Sequence, residues 1–106
     1  MNKVDEEILD KFKSLLLRKV QLHRLILFGS RSRGNADRYS DMDVVVILED
    51  SPDENAKNNI SDCAWEAGFE HGIVIVPVVF SRNEWESGPE RYSLLAQSVE
   101  AEGISL

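Results

Sequence analysis

The chain has 106 residues, a net charge of −7, 42% hydrophobic and 29% charged residues; this composition excludes a disordered or fibrous polymer, and the length leaves room for one domain with one modest core. Its longest apolar runs are strand-sized, which excludes a membrane-spanning helix. The lone Cys63 excludes an internal disulfide, and the acidic start MNKVDEEILDKF lacks the basic and apolar stretches of a secretory signal, so the expected location is the reducing cytoplasm.

Residues 3–20 place Val4, Ile8, Leu9, Phe12, Leu15, Leu16 and Val20 at helical spacing, with Asp5, Glu6 and Glu7 near the start and Arg18 and Lys19 near the end. This is an amphipathic helix with charges matched to its macrodipole. Arg24 to Phe28 reads as a short buried strand stopping at Gly29, and residues 30–40, with Gly34, Asn35 and Asp37, as a short helical turn followed by a loop.

Asp41 to Leu48 is the second strand, and its β-branched run Val44-Val45-Val46-Ile47 predicts burial on both faces and a central place in a sheet. Ser51-Pro52-Asp53-Glu54 has the pattern of a capping box with proline at the first helical position. The helix it starts runs to about Phe69, with Ile60, Cys63, Ala64 and Ala67 inward and a turn at Gly72. Cys63 is read as a small core residue rather than a reactive thiol.

The third strand spans Ile73 to Phe80, where Pro77 removes a ladder donor and so predicts an edge position or a bulge. Ser81-Arg82-Asn83-Glu84 repeats the capping-box pattern ahead of a short helix around Trp85. A last helix over Arg91 to Glu102 carries Tyr92, Leu95, Ala96 and Val99 and closes at Gly103. The order predicts an α/β sandwich with a small mixed sheet. The two tryptophans read as core or interface anchors, since no aromatic interleaves with the basic cluster as base stacking would require.

The chemistry gathers between residues 29 and 43. Side chains alternate along a strand, so Asp41 and Asp43 project from one face and their oxygens can converge. Two carboxylates this close repel each other unless a cation or proton lies between them, and oxygen ligation favours Mg²⁺ or Mn²⁺. Taken alone, an Asp-x-Asp pair also fits a solvated strand end in a purely structural domain. The Gly29-Ser30 turn offers backbone N–H groups and a hydroxyl to a phosphate, and Arg31 and Arg33 are spaced to reach its oxygens, although one of them can instead face solvent. A phosphate cradle beside a divalent-metal site suits nucleotidyl transfer from a nucleoside triphosphate.

Gly29-Ser30, ten residues, then Asp41-Met42-Asp43 resembles the signature of the DNA polymerase β-like nucleotidyltransferase superfamily, and the size is that of its minimal nucleotidyltransferase (MNT) group. The resemblance rests on residues 24–48, with the flanks LFGSRSRG and SDMDVVV, while PVVFSRNEW and EAEGISL are similar to a bacterial subgroup. It implies a nucleotidyltransferase-type α/β (α+β) fold, a small mixed sheet of three or four strands packed by helices, with residues 1–106 as one domain. It further implies the antitoxin of a HEPN-type RNase toxin, transferring AMP from ATP to a tyrosine of that toxin with Mg²⁺ or Mn²⁺. In that reading Gly29 and Ser30 hold the β and γ phosphates with Arg31 and Arg33 nearby, Asp41 and Asp43 bind metal, and Ser30, Asp41 and Asp43 carry the catalysis. The short chain lacks the additional domain with which larger relatives grip an acceptor, so a partner is expected to supply that surface.

The superfamily carries a third carboxylate on the following strand, and here Ile73 to Phe80 contains no acid. Glu70, Glu84 and Glu100 are the candidates to approach from a flank, each with a solvated or capping role as its alternative. Loss of such a base typically costs about 10²–10⁴-fold in rate. A second reading is therefore a weak or inactive module that neutralises its partner by docking.

Residues 1–40 hold nine Lys/Arg against five acids, and residues 41–106 three against fourteen. A nucleoside triphosphate suits the first half and a basic protein surface the second, whereas stable binding of duplex nucleic acid is not expected. Edge strands and the apolar face of the first helix are the surfaces on which a homo-oligomer could form.

Overall fold

The computed structural model describes residues 1–34, 40–88 and 90–106, with the side chains of 90–93 excepted. The readings of Asn35, Asp37 and the Tyr92 side chain lie outside the described residues.

The first helix, α1 (Lys3–Lys19), begins at Asn2, whose side chain accepts from the Asp5 amide at 2.8 Å. Ile8, Leu9, Phe12 and Leu16 recur at helical spacing and are buried as expected, whereas Val4 is exposed. Asp5 is the exception to the pattern: it lies in the first turn and yet is buried.

Next come β1 (Leu22–Phe28) and β2 (Met42–Leu48), paired antiparallel, then α2 (Glu54–Phe69) and β3 (Ile75–Ser81), which runs parallel to β2. The chain ends with α3 (Arg82–Ser87), α4 (Glu90–Glu102) and β4 (Ile104–Ser105), which pairs antiparallel with β1. The sheet order is β3-β2-β1-β4. The valine run is thus central, and Pro77 stands on an edge strand, where its missing N–H disturbs no inner ladder. The two-residue β4 is absent from the sequence reading because it is too short to show a period; its place is fixed by Leu106 donating to the Leu25 carbonyl at 2.9 Å.

Each face of the sheet has its own core. On one, Leu25, Leu27, Met42, Val44, Val46 and Ile75 meet α1 and α2; on the other, Ile26, Val45, Ile47 and Phe80 meet Trp85 and Val99 of α3 and α4. Strand alternation assigns the residues to faces, and the β-branched run serves both. Cys63 is buried in the first core, where burial, chiefly, pushes its thiol above the ordinary value of 9.0.

Two local details differ from the sequence reading. Helix α2 is capped by Asp53, whose carboxylate accepts from the Ala56 amide at 2.7 Å, rather than by Ser51. An aspartate two residues further on provides the same acceptor while standing directly at the first turn. Trp85 is the expected core anchor, but Trp65 is 68% exposed and stacks on Phe69, itself 65% exposed, with ring centroids 4.7 Å apart. The second capping box forms as read: Ser81 and Glu84 exchange side-chain and backbone hydrogen bonds of 3.0 Å. Among the described residues no helix is long and apolar enough to cross a membrane.

Candidate active site

Asp41 and Asp43 stand at the start of β2 on either side of Met42, which is fully buried and donates its amide to the Val74 carbonyl at 2.9 Å. Burial of Met42 towards α1 and α2 turns its two neighbours to the opposite face. The registers place Asp43 between Phe28 of β1 and Val76 of β3. One residue beyond Phe28, Gly29 adopts φ +77°, and a Cβ there would stand 2.6 Å from Asp43 Oδ2. Glycine therefore satisfies two demands at once, a left-handed backbone and direct contact with a carboxylate.

From Gly29 the chain winds into a single turn. The Gly29 carbonyl accepts from the Ser32 and Arg33 amides at 3.2 and 3.3 Å and from the Ser32 hydroxyl at 2.8 Å. Among the described residues, neither the amide nor the hydroxyl of Ser30 has a hydrogen-bond partner. Two unused donors on a short turn are available to an anion.

Among the described residues no cationic side chain is paired with either aspartate. Neither takes part in a hydrogen bond or ion pair among the described residues. Asp43 is held above the ordinary carboxylate value of 3.8, first by burial and then by the charge of Asp41. An uncompensated pair of hard oxygen donors suits a hard divalent cation.

The two arginines part company. Arg31, read as a phosphate donor, is instead turned inward: Nη1 donates to Asp5 Oδ1 at 2.7 Å, and Nε and Nη2 donate to the Ser40 carbonyl at 3.0 and 2.6 Å. The guanidinium is thus taken up by a buried carboxylate and a backbone carbonyl, and Arg31 is only 7% exposed. Arg33 keeps an exposed head group, with Glu102 at 3.7 Å.

The candidates for a third acid are engaged elsewhere. Glu84 closes its capping box, and Glu70 is exposed with Lys11 at 4.0 Å. Glu100 accepts from Arg24 and, at 3.4 Å, from Trp85 Nε1; the Arg24 hydrogen bond lowers it below its ordinary value. In the parallel register the residue beside Asp43 is Val76, 37% exposed. A cavity of about 770 Å³ opens behind the turn, lined by Asn2, Asp5, Arg31, Arg33 and His71 among others. The two aspartates are not in its lining.

A family model described as "Nucleotidyltransferase domain" matches residues 6–95. A provisionally named protein adenylyltransferase of Methanocaldococcus jannaschii is 33% identical over 78 residues, covering 72% of this chain and 79% of the relative. A second protein of that organism, named likewise, is 35% identical over 84 residues, covering 72% of this chain and 57% of its own length. Among solved structures, a toxin–antitoxin with AMP-PNP is similar at a TM-score of 0.65 and 26% identity, over 91% of this chain and 69% of that one. A complex of tri-AMPylated Shewanella oneidensis HEPN toxin with MNT antitoxin shares the fold at a TM-score of 0.59 and 21% identity, over 96% and 70% of the two chains. The carboxylate pair backed by a glycine turn thus sits in a chain whose sequence matches one family over most of its length, and the protein belongs to the nucleotidyltransferase domain family.

Proposed function

We propose that the protein is an adenylyltransferase that moves AMP from ATP to a hydroxyl of a protein partner, and that it acts in the cytoplasm as the antitoxin of a HEPN-type RNase toxin. The observation that carries this reading is the contact of the Gly29 backbone with the Asp43 carboxylate, which puts phosphate donors and metal-type ligands side by side. The relatives named for protein adenylylation and the toxin–antitoxin structure with AMP-PNP support the choice of AMP and of a protein acceptor.

In this mechanism Gly29 and Ser30 hold the triphosphate through backbone and hydroxyl donors, while Arg33 adds charge from the rim. Asp41 and Asp43 are the residues that would hold Mg²⁺ or Mn²⁺, which when bound screens phosphate charge and stabilises the leaving pyrophosphate. The acceptor oxygen bonds to the α phosphorus as the bond to the bridging oxygen breaks, and pyrophosphate departs. With Val76 where a third carboxylate would stand, the acceptor proton passes to solvent at the exposed ledge, and a slow reaction is expected. The 106 residues act as a single minimal domain, and the partner supplies the surface around the acceptor.

Isothermal titration tests the nucleotide site: the wild type binds ATP only with Mg²⁺, and the Asp41→Ala/Asp43→Ala double variant does not. Absence of Mg²⁺-dependent binding in the wild type, or its persistence in the double variant, removes the catalytic reading. Val76 favours the docking module as the second reading. Intact-mass spectrometry of a co-expressed partner separates the two, because only the enzyme adds nucleotide mass.

A further inference from the structure

The Arg31–Asp5 pair is among the most deeply buried polar contacts in the chain, with side chains 3% and 5% exposed. Its stability value does not explain its presence. Burying two charges forfeits their hydration, and replacing such a pair by apolar residues of similar volume is often neutral or stabilising. What the pair does supply is position.

Asp5 lies in the first turn of α1, held by the Asn2 cap and backed by the buried Ile8 and Leu9. Arg31 lies in the turn that begins at Gly29. Its guanidinium spans the distance from that helix to the Ser40 carbonyl, and Ser40 immediately precedes Asp41. The fork geometry matters, because two N–H groups converge on one oxygen while a third engages the carboxylate. The start of β2 therefore meets the Gly29 turn at two points: Asp43 against Gly29, and Ser40 against Arg31. A single contact would let the two segments pivot about it, whereas two contacts fix their angle.

We infer that Arg31 and Asp5 are positioning residues, a clamp that sets Asp41 and Asp43 at a fixed angle to the phosphate-binding turn. The catalytic consequence rests on the proposed nucleotidyl transfer; the mechanical part stands on the contacts alone. Neither residue touches nucleotide or metal in this scheme.

The test uses the full chain and two variants. Asp5→Leu/Arg31→Met replaces the pair by apolar groups, while Arg31→Lys keeps the charge opposite Asp5 but loses the fork on Ser40. Hydrogen exchange at the Met42 amide is read in metal-free buffer, and Mn²⁺ binding in the presence of ATP is read by electron paramagnetic resonance. Both variants should melt near the wild-type temperature, exchange Met42 at least about tenfold faster and bind Mn²⁺ at least about tenfold more weakly, a factor equal to about 1.4 kcal/mol. Wild-type exchange and Mn²⁺ affinity in either folded variant overturns the clamp, as does faster exchange with unchanged affinity. If the apolar double variant fails to fold, Arg31→Lys decides by the same readings. If the wild type itself binds no Mn²⁺ with ATP, the nucleotidyl-transfer reading fails, and the exchange rates alone decide whether the clamp holds the strand.

Discussion

Gly29 and Asp43 meet where β1 ends and β2 begins, so closely that a Cβ on the glycine would stand 2.6 Å from a carboxylate oxygen. The contact joins the two halves of the Gly-Ser and Asp-x-Asp signature into one surface. It is also the point at which the smallest substitution should have the largest effect.

Gly29→Ala is expected to cost about 1–2 kcal/mol for its left-handed backbone, with a further penalty as Asp43 is pushed aside. Mg²⁺-dependent ATP binding should fall by about tenfold or more even where the protein remains folded, since a carboxylate displaced by a methyl group no longer faces the turn. Gly34→Ala is the control. It also has positive φ, but among the described residues no atom lies within 4 Å of its Cβ position, so denaturant titration should show the backbone cost with ATP affinity retained.

Asp43 makes stability depend on pH in the unusual direction for a carboxylate. Its folded value lies above 3.8, so the folded chain holds its proton more tightly than the unfolded chain. Its contribution to stability is fully present below 3.8 and is lost as pH rises through the raised folded value. Asp43→Asn should therefore melt higher than the wild type at neutral pH in metal-free buffer, with the difference closing below that window. Mg²⁺ should raise the wild-type melting temperature at neutral pH and not that of the variant. Transfer activity in Asp43→Asn should fall by about 10²-fold or more, as when a group that stabilises transition-state charge is removed.

Val76 is registered beside Asp43 and is 37% exposed, so an acid there fits with little loss of packing. Val76→Asp should lower the metal-free melting temperature, because a third carboxylate adds repulsion, and Mg²⁺ should restore it. Pyrophosphate release with the partner present should accelerate, with about 10²-fold as the scale set by general-base catalysis. An unchanged rate would mean that proton removal does not limit the reaction.

Glu100 carries the opposite pH dependence to Asp43. The Arg24 hydrogen bond lowers it below 4.5, so its stabilising effect is present above 4.5 and is lost as pH falls through the lowered folded value. Both partners are about a third to a half exposed, so Glu100→Gln should cost no more than about 1 kcal/mol in urea unfolding. ATP affinity should not change, in keeping with a residue that ties α4 to β1; a loss of affinity would return Glu100 to the site.

The local parts of the fold were legible because their causes are local. The Val44–Ile47 run predicted a doubly buried strand, Pro77 an edge position or a bulge, and Ser81 with Glu84 a cap that closes within one turn. The spacing from Gly29-Ser30 to Asp41 and Asp43 was legible through its resemblance to the nucleotidyltransferase signature. Arg31 and Arg33 could not be told apart in this way. They share a turn, and what separates them is Asp5, 26 residues earlier in the chain, which α1 brings under one of them and not the other.

By itself, then, the sequence determined the elements other than β4 and the face that each longer strand presents, because backbone periodicity and turn chemistry act over a few neighbours. Only the tertiary structure decided that Arg31 is buried against Asp5 and the Ser40 carbonyl, that Glu84 is taken up by a helix cap and Glu100 by Arg24, and that Val76 is registered beside Asp43. Those outcomes follow from which distant side chains meet in the buried space between elements, and a charge settles where its desolvation is compensated by such a partner.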